Sequence, residues 1–102
     1  MEIKTTLQFQ KWLKKLRNRP IRAYIITMIN EWRENGLVFG DIKKIGSALY
    51  ESRIHKGPGY RVYFTYQGAR LVILLVGGDK STQESDIRKS LELLNDMEDY
   101  ND

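Results

Sequence analysis

Within the nine residues from Arg53 to Arg61 the chain carries Arg53, His55, Lys56, Tyr60 and Arg61 around a Gly57-Pro58-Gly59 turn. Pro58 presets one turn dihedral, and the glycines accept backbone angles that other residues avoid. The segment therefore reads as two strands joined by a tight basic turn. A solvated turn needs neither these cations nor a ring. An anion that can stack is their natural partner, and RNA meets that description. Arginine offers phosphate a planar, bidentate donor pair, and lysine a mobile point charge. Such cations can stabilise, without a metal, the dianionic phosphorane formed when a 2′-hydroxyl attacks its own phosphate. Histidine is the side-chain type that exchanges protons near neutrality, so His55, the sole histidine, is the candidate general acid or base. A solvated turn residue is an equal alternative for it. Arg61, on a strand with tyrosines at 60 and 63, is the first choice for a concave face and Arg53 the second. Tyr60 could stack on a base, although Val62, Phe64 and Tyr66 share its strand face and argue for the core. Glu51 is read as a cross-strand partner of a cation, with no role of its own.

Gly77-Gly78-Asp79-Lys80-Ser81-Thr82-Gln83 forms a second set. Glycines before a helix N-terminus leave N–H groups available to phosphate, and Lys80 adds charge. The Gly-x-x-x-x-Gly-Lys spacing of a nucleotide-binding P-loop is absent. Alone, this would be a capped strand-to-helix turn. Beside the basic hairpin it adds Lys80 to the catalytic cations, and Asp79 and Gln83 to an RNA-binding surface that also takes in Lys43, Lys44 and Lys56.

Composition narrows the chemistry further. The absence of cysteine excludes a disulfide scaffold, a thiolate zinc site and a cysteine nucleophile. One histidine excludes a multi-histidine metal site, so neither metal nor cofactor is expected. A length of 102 residues fits one domain with a modest core, assigned as 1–102. No apolar segment follows a basic start, and the apolar run Leu71 to Val76 is too short to span a bilayer. A cytoplasmic protein without membrane contact is expected. Through Lys80 there are 15 Lys and Arg against 6 Asp and Glu, and beyond it 2 against 7. The net charge of +4 thus divides into +9 and −5, a basic body with an acidic C-terminal helix.

The elements that must position these residues follow from periodicity. Glu2 to Thr5 can form a short strand. Phe9, Trp12, Leu13 and Leu16 mark one helical face, and Thr5 with Gln8 has capping-box spacing. Pro20 suits the first turn of a second helix, whose face is Ile21, Tyr24, Ile25, Met28, Ile29 and Trp32 and whose stop is Gly36. Leu37 to Ser47 reads as a connecting loop carrying Asp41, Lys43 and Lys44. Strands follow over Leu49–Ile54, Tyr60–Tyr66 and Leu71–Val76. The last is apolar throughout, hence central and covered on both faces. Ser81 and Glu84 have capping-box spacing and open a final helix with Ile87, Leu91 and Leu94 on one face; residues 97–102 are expected to fray. The expectation is an α+β fold: a curved, mainly antiparallel four-stranded sheet on an N-terminal helical hairpin, plus a C-terminal helix.

Two runs carry a family resemblance. Ile54-x-x-Gly57-Pro58-Gly59-Tyr60-Arg61-Val62-Tyr63-Phe64 and Leu74-Leu75-x-Gly77-Gly78-Asp79-Lys80-Ser81-Thr82-Gln83-x-x-Asp86-Ile87 resemble the RelE/ParE toxin superfamily, in its HigB-like addiction module killer branch. Phe9-x-x-Trp12-Leu13-x-x-Leu16 and Gly40-Asp41-x-Lys43-x-x-Gly46 fit as well, so the resemblance covers nearly the whole chain. It implies a RelE-like, microbial RNase-like fold and the toxin of a type II toxin–antitoxin pair. The partner it implies is a cognate antitoxin of helix-turn-helix, DNA-binding type. The activity it implies is a metal-independent mRNA endonuclease (an mRNA interferase) acting on the ribosome. By this resemblance Arg61 is the arginine that stabilises the scissile phosphate, while Arg53 and Lys80 fall near further basic positions. The C-terminal tyrosine of the RelE type is missing, with Ser85 and Asp86 in that stretch, and Glu51 replaces a paired strand lysine. HigB-type enzymes use histidines and an aspartate, for which only His55 and Asp79 could substitute. The alternative is a ParE-like gyrase poison, or a non-catalytic binding protein of the same fold.

Overall fold

A computed structural model describes residues 1–100, with side chains through Met97. Its elements are β1 (Glu2–Thr5), α1 (Leu7–Lys15), α2 (Arg19–Asn35), β2 (Asp41–Lys44), β3 (Tyr50–Ile54), β4 (Tyr60–Gln67), β5 (Leu71–Asp79) and α3 (Gln83–Tyr100). A 3₁₀ turn, Lys80–Thr82, leads into α3. Thr6 rather than Thr5 caps α1: its hydroxyl accepts from the Phe9 N–H at 3.0 Å and donates to the Leu75 carbonyl at 2.5 Å. One side chain thus ends the strand, starts the helix and ties both to β5. Asn18 caps α2 by accepting from the Ile21 N–H at 3.2 Å, and Pro20 sits in the first turn, where no amide donor is needed. The helix stops at Gly36, whose φ of +74° is left-handed.

The sheet has five strands in the order β1-β5-β4-β3-β2, with β1 parallel to β5 and every other pair antiparallel. The fifth strand corrects the sequence reading, which places Asp41, Lys43 and Lys44 in a loop. β2 has four residues and one apolar side chain, Ile42, so it has no pattern of its own. Pairing with β3 makes it a strand, and its lysines sit on an outer edge where charge discourages further pairing.

Strand alternation sorts the side chains onto two faces. Ile54, Tyr60, Val62, Phe64, Val72 and Leu74 pack against Phe9, Ile25 and Trp32 of the helical hairpin. Tyr63, Leu49, Ile73, Leu75 and Val76 pack on the other face against Ile87, Leu93 and Leu94 of α3. β5 is buried from Val72 to Gly78, covered on both sides as its apolar sequence predicts.

One irregularity matters for the site. Tyr63 stands opposite Val76, but Phe64 stands opposite Leu74, leaving Leu75 as an extra residue. After this bulge Gly77 pairs with Val62 and faces α1, while Gly78 pairs with Arg61 and faces α3. A Cβ on Gly77 would overlap the Trp12 ring, and one on Gly78 would overlap the Asp86 carboxylate. The glycine pair is therefore a buried strand segment against which two helices close. It is not the exposed phosphate turn expected from its sequence. Gly77→Ala should lower the unfolding free energy by about 1–3 kcal/mol, the usual cost of overpacking a core, as read from urea denaturation; an unchanged midpoint would show that Trp12 can move aside.

α3 continues as helix through Tyr100. The rest of the tail expected to fray, residues 101–102, lies outside the described residues. Among those described, no helix is long and apolar enough to cross a membrane.

Candidate functional site

Alternation along β3 sends Glu51 and Arg53 toward the α3 side of the sheet, and His55 follows directly after the strand. Antiparallel register sets Arg53 directly opposite Arg61 on β4 and Asp41 of β2 opposite Arg53. The start of α3 meets this part of the sheet through Gln83, at Glu51, and through Asp86, which lies against Gly78 opposite Arg61. Beyond it lies a cavity of about 210 Å³ lined by Arg53, Ile54, His55, Gly59, Tyr60, Arg61 and Lys80. Gly59 has φ of +82°, and a Cβ there would stand 3.5 Å from Lys80 Cε. The left-handed backbone is what calls for glycine here, and the lysine stem packs beside it at ordinary contact distance.

Two guanidinium groups directly opposite one another repel. Two carboxylates hold them in place. Glu51 is 2% exposed; its Oε1 lies 3.8 Å from Arg53 Nε and 3.5 Å from Arg61 Nε, and its Oε2 accepts from Gln83 Nε2 at 3.3 Å. Asp41 Oδ1 accepts from Arg53 Nη2 at 3.1 Å, and its Oδ2 meets His55 Nε2 at 2.5 Å. The hydrogen bond from His55, and then that from Arg53, hold the Asp41 carboxyl below the usual carboxylate range. Burial, and then the Glu51 charge, push the Tyr63 hydroxyl upward, so it stays neutral.

The arginines are not saturated by this arrangement. Arg61 Nε and Nη1 and Arg53 Nε are buried without a hydrogen-bond partner. Three cations, Arg53, Arg61 and Lys80, border the cavity against two carboxylates, Glu51 and Asp41, and the positive excess favours an oxyanion there. The site can therefore hold a phosphate between two strands, with His55 and Lys80 at its rim. Among the described residues no three of His, Asp and Glu cluster as a metal site would.

Of the candidates named from sequence, Arg53, His55, Arg61 and Lys80 share this cavity. Tyr60 lines it too, but the residue is 9% exposed and packed in the core, so its ring is not the open stacking platform considered above. Lys56 turns away, its ammonium 4.9 Å from the Tyr24 ring centroid. Lys43 lies opposite Glu51 on the edge strand, and the Lys44 ammonium is 5.8 Å from the Tyr50 ring centroid; neither lines the cavity. Asp79, and not Ser81, is the cap: its carboxylate accepts from the Ser81 N–H at 2.8 Å and the Ser81 hydroxyl at 2.6 Å. Asp79 is thus engaged at the turn's own N-terminus, where a phosphate was expected. Gln83 reaches the site through Glu51. Glu51, read from sequence as the cross-strand partner of a cation, pairs across the strands with Arg61 and also with Arg53. The sequence reading gave Asp41 no place in the site; only the pairing of β2 reveals it.

A second cleft, of about 130 Å³, opens across Arg53 and Ile54 and is bordered by Tyr24, Met28, Phe39 and Asp41. A chain crossing Arg53 would find exposed rings on that side.

The profile of the family described as Phage derived protein Gp49-like (DUF891) matches residues 11–95. An uncharacterized protein of Haemophilus influenzae is 48% identical over 90 residues, covering 88% of this chain and 89% of the relative. The RelE toxin fold is shared with solved structures. The RelB–RelE antitoxin–toxin complex of Methanococcus jannaschii aligns with a TM-score of 0.67 at 22% identity, over 80% of this chain and 95% of that one. The isolated E. coli RelE toxin aligns with a TM-score of 0.60 at 14% identity, over 85% of this chain and 96% of that one.

Proposed function

The chain belongs to the Phage derived protein Gp49-like family, and from that membership and its cation cavity we propose that it is a RelE-type toxin that cleaves mRNA on the ribosome without a metal. The observation that carries this reading is the pair of opposed arginines in one cavity with His55 and Lys80. An RNA phosphate in that cavity would receive Arg61 and Arg53 on its non-bridging oxygens. The adjacent 2′-hydroxyl gives its proton to His55 as the 2′-oxygen bonds to phosphorus. The bond to the 5′-oxygen breaks, and the departing oxygen takes a proton from water. Arg61, Arg53 and Lys80 stabilise the charge that gathers on the phosphorane. The products are a 2′,3′-cyclic phosphate and a 5′-hydroxyl end. Action on the ribosome is supported by the resemblance of the Tyr60-Arg61 and Gly77-Gly78 runs to RelE-type toxins, and a cytoplasmic location goes with that reading.

The antitoxin-bound state of the M. jannaschii RelE supports a cognate antitoxin here, whose acidic segment would cover the basic cavity. Purified ribosomes carrying a defined mRNA test the proposal. Cleavage leaving 5′-hydroxyl ends, suppressed by the product of a neighbouring antitoxin gene, is the expected result. Intact mRNA together with trapped gyrase–DNA cleavage complexes would overturn it in favour of a gyrase poison, a reading to which the absence of tyrosine at Ser85 and Asp86 lends itself.

A further inference from the structure

Asp41 enters the site from a strand that its own sequence does not announce, and its carboxylate bridges two site residues. One oxygen accepts from Arg53 Nη2 at 3.1 Å, and the other meets His55 Nε2 at 2.5 Å. An ionised carboxylate has no proton to give, so the hydrogen in the second contact must sit on Nε2. Asp41 is held in its ionised form by these two contacts. A neutral imidazole protonated at Nε2 has its lone pair on Nδ1, which has no hydrogen-bond partner among the described residues. The His55 side chain is 72% exposed, and packing alone would leave its ring free to turn. Arg53 in turn fixes the carboxylate, and Arg53 is itself held by Glu51.

We propose that Asp41 is a positioning residue that pins the His55 proton on Nε2 and presents Nδ1 as the atom that accepts the 2′-hydroxyl proton. This rests on the endonuclease reading above for the identity of the donor, but not for the state of the imidazole. In the step itself the 2′-hydroxyl proton passes to Nδ1 and leaves an imidazolium. Asp41 stabilises that cation through the hydrogen bond already in place. The competing description is an ordinary surface ion pair, which would be worth little and would leave the ring to rotate.

The two descriptions differ in the free protein. With one histidine in the chain, imidazole nitrogen and proton resonances need no assignment. The unaltered chain should show a His55 Nε2–H signal protected from exchange with water, together with an unprotonated Nδ1. In Asp41→Ala that signal should vanish into solvent exchange. A wild-type ring without the protected Nε2–H, or the same protected signal in Asp41→Ala, overturns the proposal. On ribosomes, Asp41→Asn should lower kcat at least about tenfold at unchanged KM, a share of the 10²–10⁴ that a general base supplies, and Asp41→Glu should recover part of it. An Asp41→Asn protein with the wild-type kcat also overturns it. If the unaltered chain leaves mRNA intact, the endonuclease reading falls by itself, and the resonance alone decides whether Asp41 fixes the ring.

Discussion

Arg61→Ala should cut ribosome-bound mRNA about 10²–10³ more slowly than the unaltered chain, the loss seen when one preorganised oxyanion donor is removed, while its fold survives. Arg61 is 11% exposed, and its Nε and Nη1 make no hydrogen bond inside the protein. Its guanidinium is fixed beside Glu51 at the cavity wall, where a phosphate would meet a charge already in place. Truncating it also lifts the repulsion with Arg53, which remains near Glu51 and Asp41. Arg61→Lys should recover only part of the rate, because an ammonium restores charge but not the two-pronged geometry. Single-turnover cleavage rates, with an unfolding curve for each variant, make the measurement. A variant that folds and cuts at the full rate would remove Arg61 from the chemistry.

The second large effect is on stability. Glu51 is the buried counter-ion of two arginines and the acceptor of Gln83. Glu51→Ala leaves two facing guanidinium groups with no charge between them. Breaking a buried pair from one side costs about 3–5 kcal/mol, a large share of the roughly 5–15 kcal/mol that keeps a domain folded. Glu51→Gln keeps the volume and the bond from Gln83 and should cost less. Adding Arg61→Ala to Glu51→Ala should restore part of the loss, because the like-charge contact goes with it. A double-mutant cycle in urea reads this coupling directly. Strict additivity would mean that the 3.5 Å approach of Glu51 to Arg61 does not bind the two strands energetically.

The legible parts of this fold were those whose pattern is local. The helical faces of Phe9 and Trp12 and of Ile21 to Trp32 repeat every three or four residues, and β4 alternates from Tyr60 to Phe64, the extra residue lying on β5. β2 was not legible, because four residues with a single apolar side chain become a strand only through a neighbour. The cations of the site could be named from the Arg53 to Arg61 run, since they lie within one hairpin. Their carboxylates could not be assigned roles, since the role of Glu51 depends on which strand faces it and that of Asp41 on a pairing 14 residues away from His55. Gly77-Gly78 was misread for a related reason. Glycines that free amides for a phosphate and glycines that admit an indole look alike until the Trp12 ring is placed.

The extra residue at Leu75 governs which way every later side chain of the strand faces. A strand is a two-beat rhythm, and an added beat reverses the phase of everything after it. Here the reversal gives Gly77 to one helix layer and Gly78 to the other, and it delivers Lys80 to the rim shared with Arg61. Shortening the strand by that one position would leave its composition almost intact while swapping inside for outside along the remaining segment. A deletion there would therefore disturb both helix interfaces and the cavity rim at once.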